Sequence, residues 1–133
     1  MNTLRGQIQS IRKDGHLLMV NVVVGKDLLK VLLIDSSPSP DYLQEGNGVN
    51  VLFKETEVII CKGNAGLISL ENRMNAKVAH IEKGDVLSKV KLTTASREIK
   101  AILTTDAMDV LQLKVEDEVQ AMMKVNEVML SAI

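Results

Sequence analysis

Phe53-Lys54-Glu55-Thr56-Glu57-Val58-Ile59-Ile60 and Met123-Lys124-Val125-Asn126-Glu127-Val128-Met129-Leu130 stand seventy residues apart and share a lysine, a glutamate and a valine at the same places. Working back at that offset, Val49 falls on Val119, Val20 on Val90, Leu17 on Leu87, Lys13 on Lys83, Ile11 on Ile81 and Asn2 on Asn72. Residues 2–63 thus lie on 72–133 without a gap. Apolar character agrees more widely than identity, as in Leu4/Met74, Ile8/Val78, Val22/Leu92, Leu32/Ile102, Leu52/Met122 and Ile60/Leu130. Two copies of one fold keep apolarity where identity is lost, so the chain reads as a tandem duplication.

A length of 133 residues then divides into two very small units, 1–63 and 64–133, with exchange of their ends between repeats or between chains left open. A unit of this size buries only about 60% of its unfolded surface and gains from packing on a neighbour, so oligomerisation is expected. Apolar residues make up 46% of the chain but aromatics only 2%, so the core must be built from Val, Ile, Leu and Met. Met108, Met122, Met123 and Met129 are expected to fill core or interface space.

Several function classes lose support at this stage. A net charge of −1 gives no basic face for phosphate backbones, and with Trp absent only Tyr42 and Phe53 are left for bases to stack on, so nucleic acid is not an expected partner. The lone Cys61 makes neither an internal disulfide nor a four-ligand zinc site, and His16 and His80 fall at non-equivalent repeat positions with no ligand cluster around them. No nucleophile–base–acid constellation or phosphate-cradling glycine loop is visible, so no enzymatic activity is expected. The opening MNTLRGQIQS lacks the apolar centre of a signal peptide, and no run approaches the roughly 18 apolar residues of a membrane helix, which makes the cytoplasm the expected compartment and a membrane no expected partner.

Local patterns are those of strands. Gln7–Ile11 alternates, Leu17–Val24 is rich in β-branched residues, and Asp14-Gly15 between them predicts a hairpin. Asp27–Ile34 is a further strand after the Gly25-Lys26 break, and the prolines and serines of Asp35–Tyr42 predict a loop. Val49–Ile60 reads as one bent strand, with a bulge or tight turn at Lys54–Glu57. In the second copy Lys89–Leu92 and Glu98–Ala101 alternate charge with apolar residues, as antiparallel strands wet on one face do. Thr104 as N-cap followed by Asp106 predicts a short helix, whereas the first copy, with Pro38 and Pro40, keeps at most a helical turn. Short strands with one helical turn in about 60 residues predict an all-β chain of two tandem OB-like small β-barrels. Lys62–Gly66 is the connector.

The segment Leu67-Ile68-Ser69-Leu70-Glu71-Asn72-Arg73-Met74-Asn75-Ala76-Lys77-Val78, followed by the long gap and then Met123–Leu130, resembles the opening and closing motifs of molbindin (Mop or TOBE) domains. A tandem pair in a chain of this length is similar to the family's di-domain members. The resemblance implies barrels of the Mop/TOBE type, each with one short helix or helical turn. It further implies a cytoplasmic protein that binds molybdate or tungstate at subunit or domain interfaces for storage, homeostasis or sensing, assembled as a homo-oligomer, most naturally a trimer of di-domain chains. Its bound group is the oxyanion itself, with no direct protein–metal bond. The family's donors carry over to Ser69 and Asn72 in the opening motif, Thr104 and Thr105 before the helix, and Lys124 and Asn126 in the closing motif. In the first copy they carry over to Ser36, Ser37, Lys54 and Thr56. The chain departs from the pattern at Glu71, where the family has arginine, at Ala107, where it has a hydroxyl, and at Asn126, which is displaced by one place. These departures imply an alternative, a degenerate Mop module that serves oligomerisation or regulation and binds no oxyanion.

Overall fold

A computed structural model describes residues 1–36 and 38–133. The first copy supplies β1 (Asn2–Asp14), β2 (Leu17–Val24), β3 (Asp27–Ile34) and β4 (Gly48–Phe53), then a 3-10 turn (Glu55–Glu57) and β5 (Ile59–Lys62). The second supplies β6 (Asn72–Lys83), β7 (Leu87–Thr94), β8 (Glu98–Thr104), α1 (Thr105–Leu111), β9 (Glu118–Met123) and β10 (Met129–Ser131). The chain is therefore mostly β, in two five-stranded sheets ordered β10-β4-β1-β2-β3 and β5-β9-β6-β7-β8. Every neighbouring pair of strands is antiparallel.

The repeat is preserved down to its irregularities. The β1–β2 ladder slips between Ile8 and Ser10, and the β6–β7 ladder slips between Val78 and His80, so each copy has a bulge at the same place. In the first copy, hairpin loops of two residues join Asp14 to Leu17 and Val24 to Asp27, led by Gly15 and Gly25 at φ of 61° and 59°. A positive φ at the first central residue is what glycine accepts without strain. The first of these turns is Gly15-His16, one residue later than the Asp14-Gly15 dipeptide suggested. β1 also begins earlier than the alternation implied, because its first residues pair with β4 from Asn2 opposite Phe53.

Val49–Ile60 is not one bent strand. β4 stops at Phe53, Lys54 accepts from the Glu57 amide at 3.0 Å, and the next residues leave for the other sheet, where Ile59–Lys62 pair with β9. The second copy repeats the move: β9 stops at Met123, Lys124 accepts from the Glu127 amide at 3.0 Å, and Met129–Ser131 pair with β4. Each sheet thus ends in a strand from the other half. Val58 and Val128, both 2% exposed, anchor the crossing segments in the core.

That core is aliphatic and continuous, with Val20, Val22, Leu29, Val31, Val49, Val51, Val90, Leu92 and Ala121 fully buried around Phe53. Met108, Met122 and Met123 are buried as expected, while Met129 is exposed at 39%. Two asparagines lock the halves together. Asn72 on β6 donates to the Lys30 carbonyl at 2.8 Å and accepts from the Lys30 amide at 2.7 Å. Asn2 on β1 does the same to Lys100 of β8, at 2.8 Å in both directions. The repeat offset carries Asn2 onto Asn72 and Lys30 onto Lys100, so these two clamps are one interaction made twice around an internal two-fold relation. A side-chain amide presents a donor and an acceptor in the geometry of a peptide group, which lets it cap a strand edge as another strand would.

The helix forms where its cap exists. Thr104 takes an extended conformation and its hydroxyl accepts from the Ala107 amide at 3.1 Å, and the helix ends at Gln112 in the left-handed region. In the first copy the position of Thr104 holds Ile34, 81% exposed, which has no capping oxygen. Among the described residues there, a turn stands in its place, closed by the Leu43 amide on the Pro40 carbonyl at 3.1 Å. No described helix is long and apolar enough to cross a membrane.

Candidate functional site

Ser69 and Lys124 emerge at the same end of the second sheet. Asn72 opens β6 opposite Met123, the last residue of β9, so Ser69 lies three residues before and Lys124 one residue after a paired position. Both side chains are exposed, as is Asn126. The closing turn is held against β3 by the Leu32 amide, which donates to the Val125 carbonyl at 3.0 Å. The closing turn that carries Lys124 and Asn126 therefore lies against β3 of the other half, and the segment that carries Ser69 leads into Asn72, which bonds Lys30 of the same strand. Arg73 fixes the opening segment, donating through Nε to the Leu70 carbonyl at 2.8 Å and through Nη2 to the Ile68 carbonyl at 2.9 Å.

Glu71, the departure from the family pattern that places an acid beside this cluster, is engaged. Lys30 Nζ bonds its carboxylate at 2.9 Å. The ion pair neutralises the acid at this position, although at this exposure its own contribution to stability is small. Lys30 was not singled out in the sequence, yet the signal existed: it recurs at the repeat offset as Lys100.

Two expected donors are internal. Asn72 is fully buried and spends both amide functions on Lys30, so it positions the cluster from beneath. Thr105 is 6% exposed; its hydroxyl donates to the Gly84 carbonyl at 2.7 Å and shares a 2.8 Å bond with Ser88, itself fully buried. Replacing Thr105 by valine keeps the shape, removes the hydroxyl and leaves Ser88 with one partner fewer in the interior. The variant should lose about 1–3 kcal/mol in urea denaturation. A loss near zero would show that the buried hydroxyl pair contributes no stability.

Thr104 stands apart from Ser69 and Lys124. It pairs with Leu87 at the far end of the hairpin, whereas Asn72 begins β6, and Lys83 ends it. About 35 Å of strand separates those ends at the usual rise per residue. One chain does not bring the whole donor set of the second copy to one point. The first-copy donors Lys54 and Thr56, both exposed, sit on the 3-10 turn that packs along β8, the strand that leads to Thr104. Ser36 is exposed and bonds the Pro38 carbonyl at 3.3 Å. Ser37 lies outside the described residues.

Charge around these elements is locally ordered. The Ser39 hydroxyl first, and Lys13 at 3.0 Å with it, hold the Asp35 carboxyl below its ordinary range. The amino terminus of Met1 does the same to Glu55, and the Lys114 amide with Lys62 does so to Asp117. Burial pushes Asp27 up. His16 and His80 are both exposed, and among the described residues no group of His, Cys, Asp and Glu could hold a metal ion.

Against this geometry the comparisons are specific. The TOBE-domain family model matches residues 68–130, from the opening segment through the exchanged strand. Residues 68–130 are thus similar to a TOBE domain. No curated protein matches the chain. Among solved structures it is similar to the cytoplasmic molybdate-binding protein ModG in a crystal form with molybdate bound, with a TM-score of 0.93 and 24% identity over 99% of this chain and 96% of that one. At that identity the likeness establishes the fold. The TOBE match starts at Ile68 and so includes Ser69, Asn72, Thr104, Thr105, Lys124 and Asn126.

Proposed function

We propose that this chain binds molybdate or tungstate as the intact oxyanion, for storage, homeostasis or sensing in the cytoplasm. What supports the reading is the pairing of Asn72 with Met123, from which the segments carrying Ser69, Lys124 and Asn126 leave at one end of the sheet, in a chain whose fold follows that of a molybdate-binding protein along nearly its whole length. A tetrahedral dianion needs several donors converging on four oxygens. Hydroxyls and amides supply direction, and a lysine supplies charge without the planar fork of arginine. Selection against the smaller sulfate follows from size, since a loose ligand leaves buried donors unpaired at about 1–3 kcal/mol each.

Thr104, Lys54 and Thr56 lie along β8, whereas Ser36 follows β3, against which the Lys124 turn packs, so complete sites arise where a second chain brings Thr104, Lys54 and Thr56 to Ser69, Lys124, Asn126 and Ser36. This argues for a homo-oligomer, with a trimer of di-domain chains as the arrangement to test. Asn72 and Thr105 act in this scheme as supports. The two halves, 1–63 and 64–133, are read as two OB-like Mop barrels with exchanged final strands. Exposed apolar side chains on the opening segment and hairpin ends, Leu67, Ile68, Val86 and Leu87, are consistent with burial against other chains.

Isothermal titration with molybdate, tungstate and sulfate, read together with native mass spectrometry, tests the proposal. Molybdate and tungstate are expected to bind an oligomer, sulfate much more weakly, and Lys124→Ala to lower affinity about tenfold or more. Absence of heat with all three anions would reject it. One observation favours a second reading: Glu71 remains an acid in place of the family's arginine, as in a module that has lost its ligand. Molybdate binding that appears only in the Glu71→Arg/Ala107→Ser double variant would establish that alternative.

A further inference from the structure

Two hydroxyls meet in the interior beside the start of α1. Ser88, on the inward face of β7, is fully buried, and Thr105 is 6% exposed. The Thr105 hydroxyl spends its single proton on the Gly84 carbonyl at 2.7 Å, so in the 2.8 Å bond between the two side chains it is Ser88 that donates. The chain of donors runs one way, from Ser88 through Thr105 to Gly84. Backbone bonds close the same region, the Thr105 amide donating to the Val86 carbonyl at 2.8 Å and the Gly84 amide to the Leu87 carbonyl at 3.1 Å. The turn between β6 and β7 is thus tied to the start of α1 around Thr104, which pairs with Leu87.

The first copy forms the same turn without these hydroxyls. At the repeat offset Ser88 falls on Leu18, Thr105 on Asp35 and Thr104 on Ile34. Leu18 is 5% exposed, and the Asp35 carboxylate is engaged by Ser39 and Lys13. The Asp35 amide still donates to the His16 carbonyl at 2.6 Å, the counterpart of the Thr105–Val86 bond. An aliphatic side chain therefore fits where Ser88 stands, and burying a leucine stabilises a core more than burying a hydroxyl that must find a partner. The buried pair goes with Thr104 and its helix, and it is replaced where Ile34 takes the place of Thr104.

Resting on the reading of Thr104 as an oxyanion donor, we propose that Ser88 is a positioning residue for that anion, acting through Thr105 to hold the Thr104 hydroxyl as a donor. Thr104 Oγ1 accepts from the Ala107 amide at 3.1 Å, and among the described residues its proton has no acceptor. Its polarity is thereby set. With its oxygen already accepting, the exposed hydroxyl keeps its proton for a ligand, and a fully ionised oxyanion offers acceptors only. Rotation of the backbone at Thr104 and Thr105 would break the Ala107 bond and release the hydroxyl. Ser88 opposes that rotation, because moving Thr105 leaves a buried hydroxyl without its partner. Being fully buried, Ser88 touches no anion itself.

Amide hydrogen exchange of the full chain without ligand, together with isothermal titration with molybdate, separates the aiming of Thr104 from binding. In Ser88→Ala the Ala107 amide should exchange about tenfold faster while the amides of β1 and β4 keep their rates. Molybdate affinity should fall about fivefold, in line with one poorly directed hydrogen bond. Ser88→Thr, which keeps the hydroxyl, should retain both the exchange rate and the affinity. Val22→Ala, a core truncation in the other sheet, controls for lost stability and should leave molybdate affinity unchanged well below its melting temperature. An Ala107 exchange rate unmoved by Ser88→Ala, an unaltered molybdate affinity in that variant, or an equal loss in Val22→Ala would each overturn the proposal. Should the unaltered chain bind no molybdate, the reading of Thr104 as a ligand fails by itself, and the Ala107 exchange rate still decides whether Ser88 aims its hydroxyl.

Discussion

Replacing Asn72 by alanine will destabilise the chain by about 2–4 kcal/mol, measured by urea denaturation, because two hydrogen bonds to the backbone of Lys30 disappear and leave a part-buried amide and carbonyl without partners. Asn2→Ala should behave alike, since it breaks the repeat-related clamp on Lys100. The asparagines sit in separate clamps with no shared partner, so the double variant should show nearly additive losses, or fail to fold if the total approaches the stability of the chain. A cost below about half a kcal/mol for either single variant would mean that the clamp carries no weight. Asn72→Ala is also expected to weaken oxyanion binding, because the Ser69 and Lys124 segments rest on the contact it makes with β3.

Neither half, produced alone as residues 1–63 or 64–133, will fold cooperatively. Cutting at the repeat boundary removes β10 from the first sheet and β5 from the second, exposes the edges of β4 and β9, and strips the core of Val128 or Val58. Units of this size have little stability to lose. Mixing the two fragments should restore the β-sheet circular dichroism signal and a cooperative melt, since every strand of both sheets is then present. A well-folded isolated half would refute the exchanged topology, because it requires the half to close its sheet with its own last strand.

How much of this was legible in the chain can be judged from particular residues. The hairpins, the Thr104 cap and the missing helix of the first copy follow from local chemistry: glycine at positive φ, a hydroxyl three residues before an amide, prolines where a helix would start. The bulges at Ile8/Ser10 and Val78/His80 were not legible, because one extra residue in a strand changes the facing of side chains without changing composition. The resemblance carries donor roles onto Asn72 and Thr105, and both are internal in the folded chain. Burial decides between those roles, and burial of a polar group depends on partners far away in sequence, Lys30 for one and Gly84 and Ser88 for the other. The TOBE resemblance itself was visible in the order of its motifs.

The sequence by itself determined the duplication, the strand character of each half and the aliphatic core, since each is written in periodicity and composition that act over a few residues. Tertiary structure alone decided which sheet receives β5 and β10, and that Ser69 and Lys124 share one end of a sheet while Thr104 stands at the other. The reason is that alternation specifies which face of a strand is buried but not its neighbour. The hydrogen bonds that choose the neighbour run between backbone groups common to every residue.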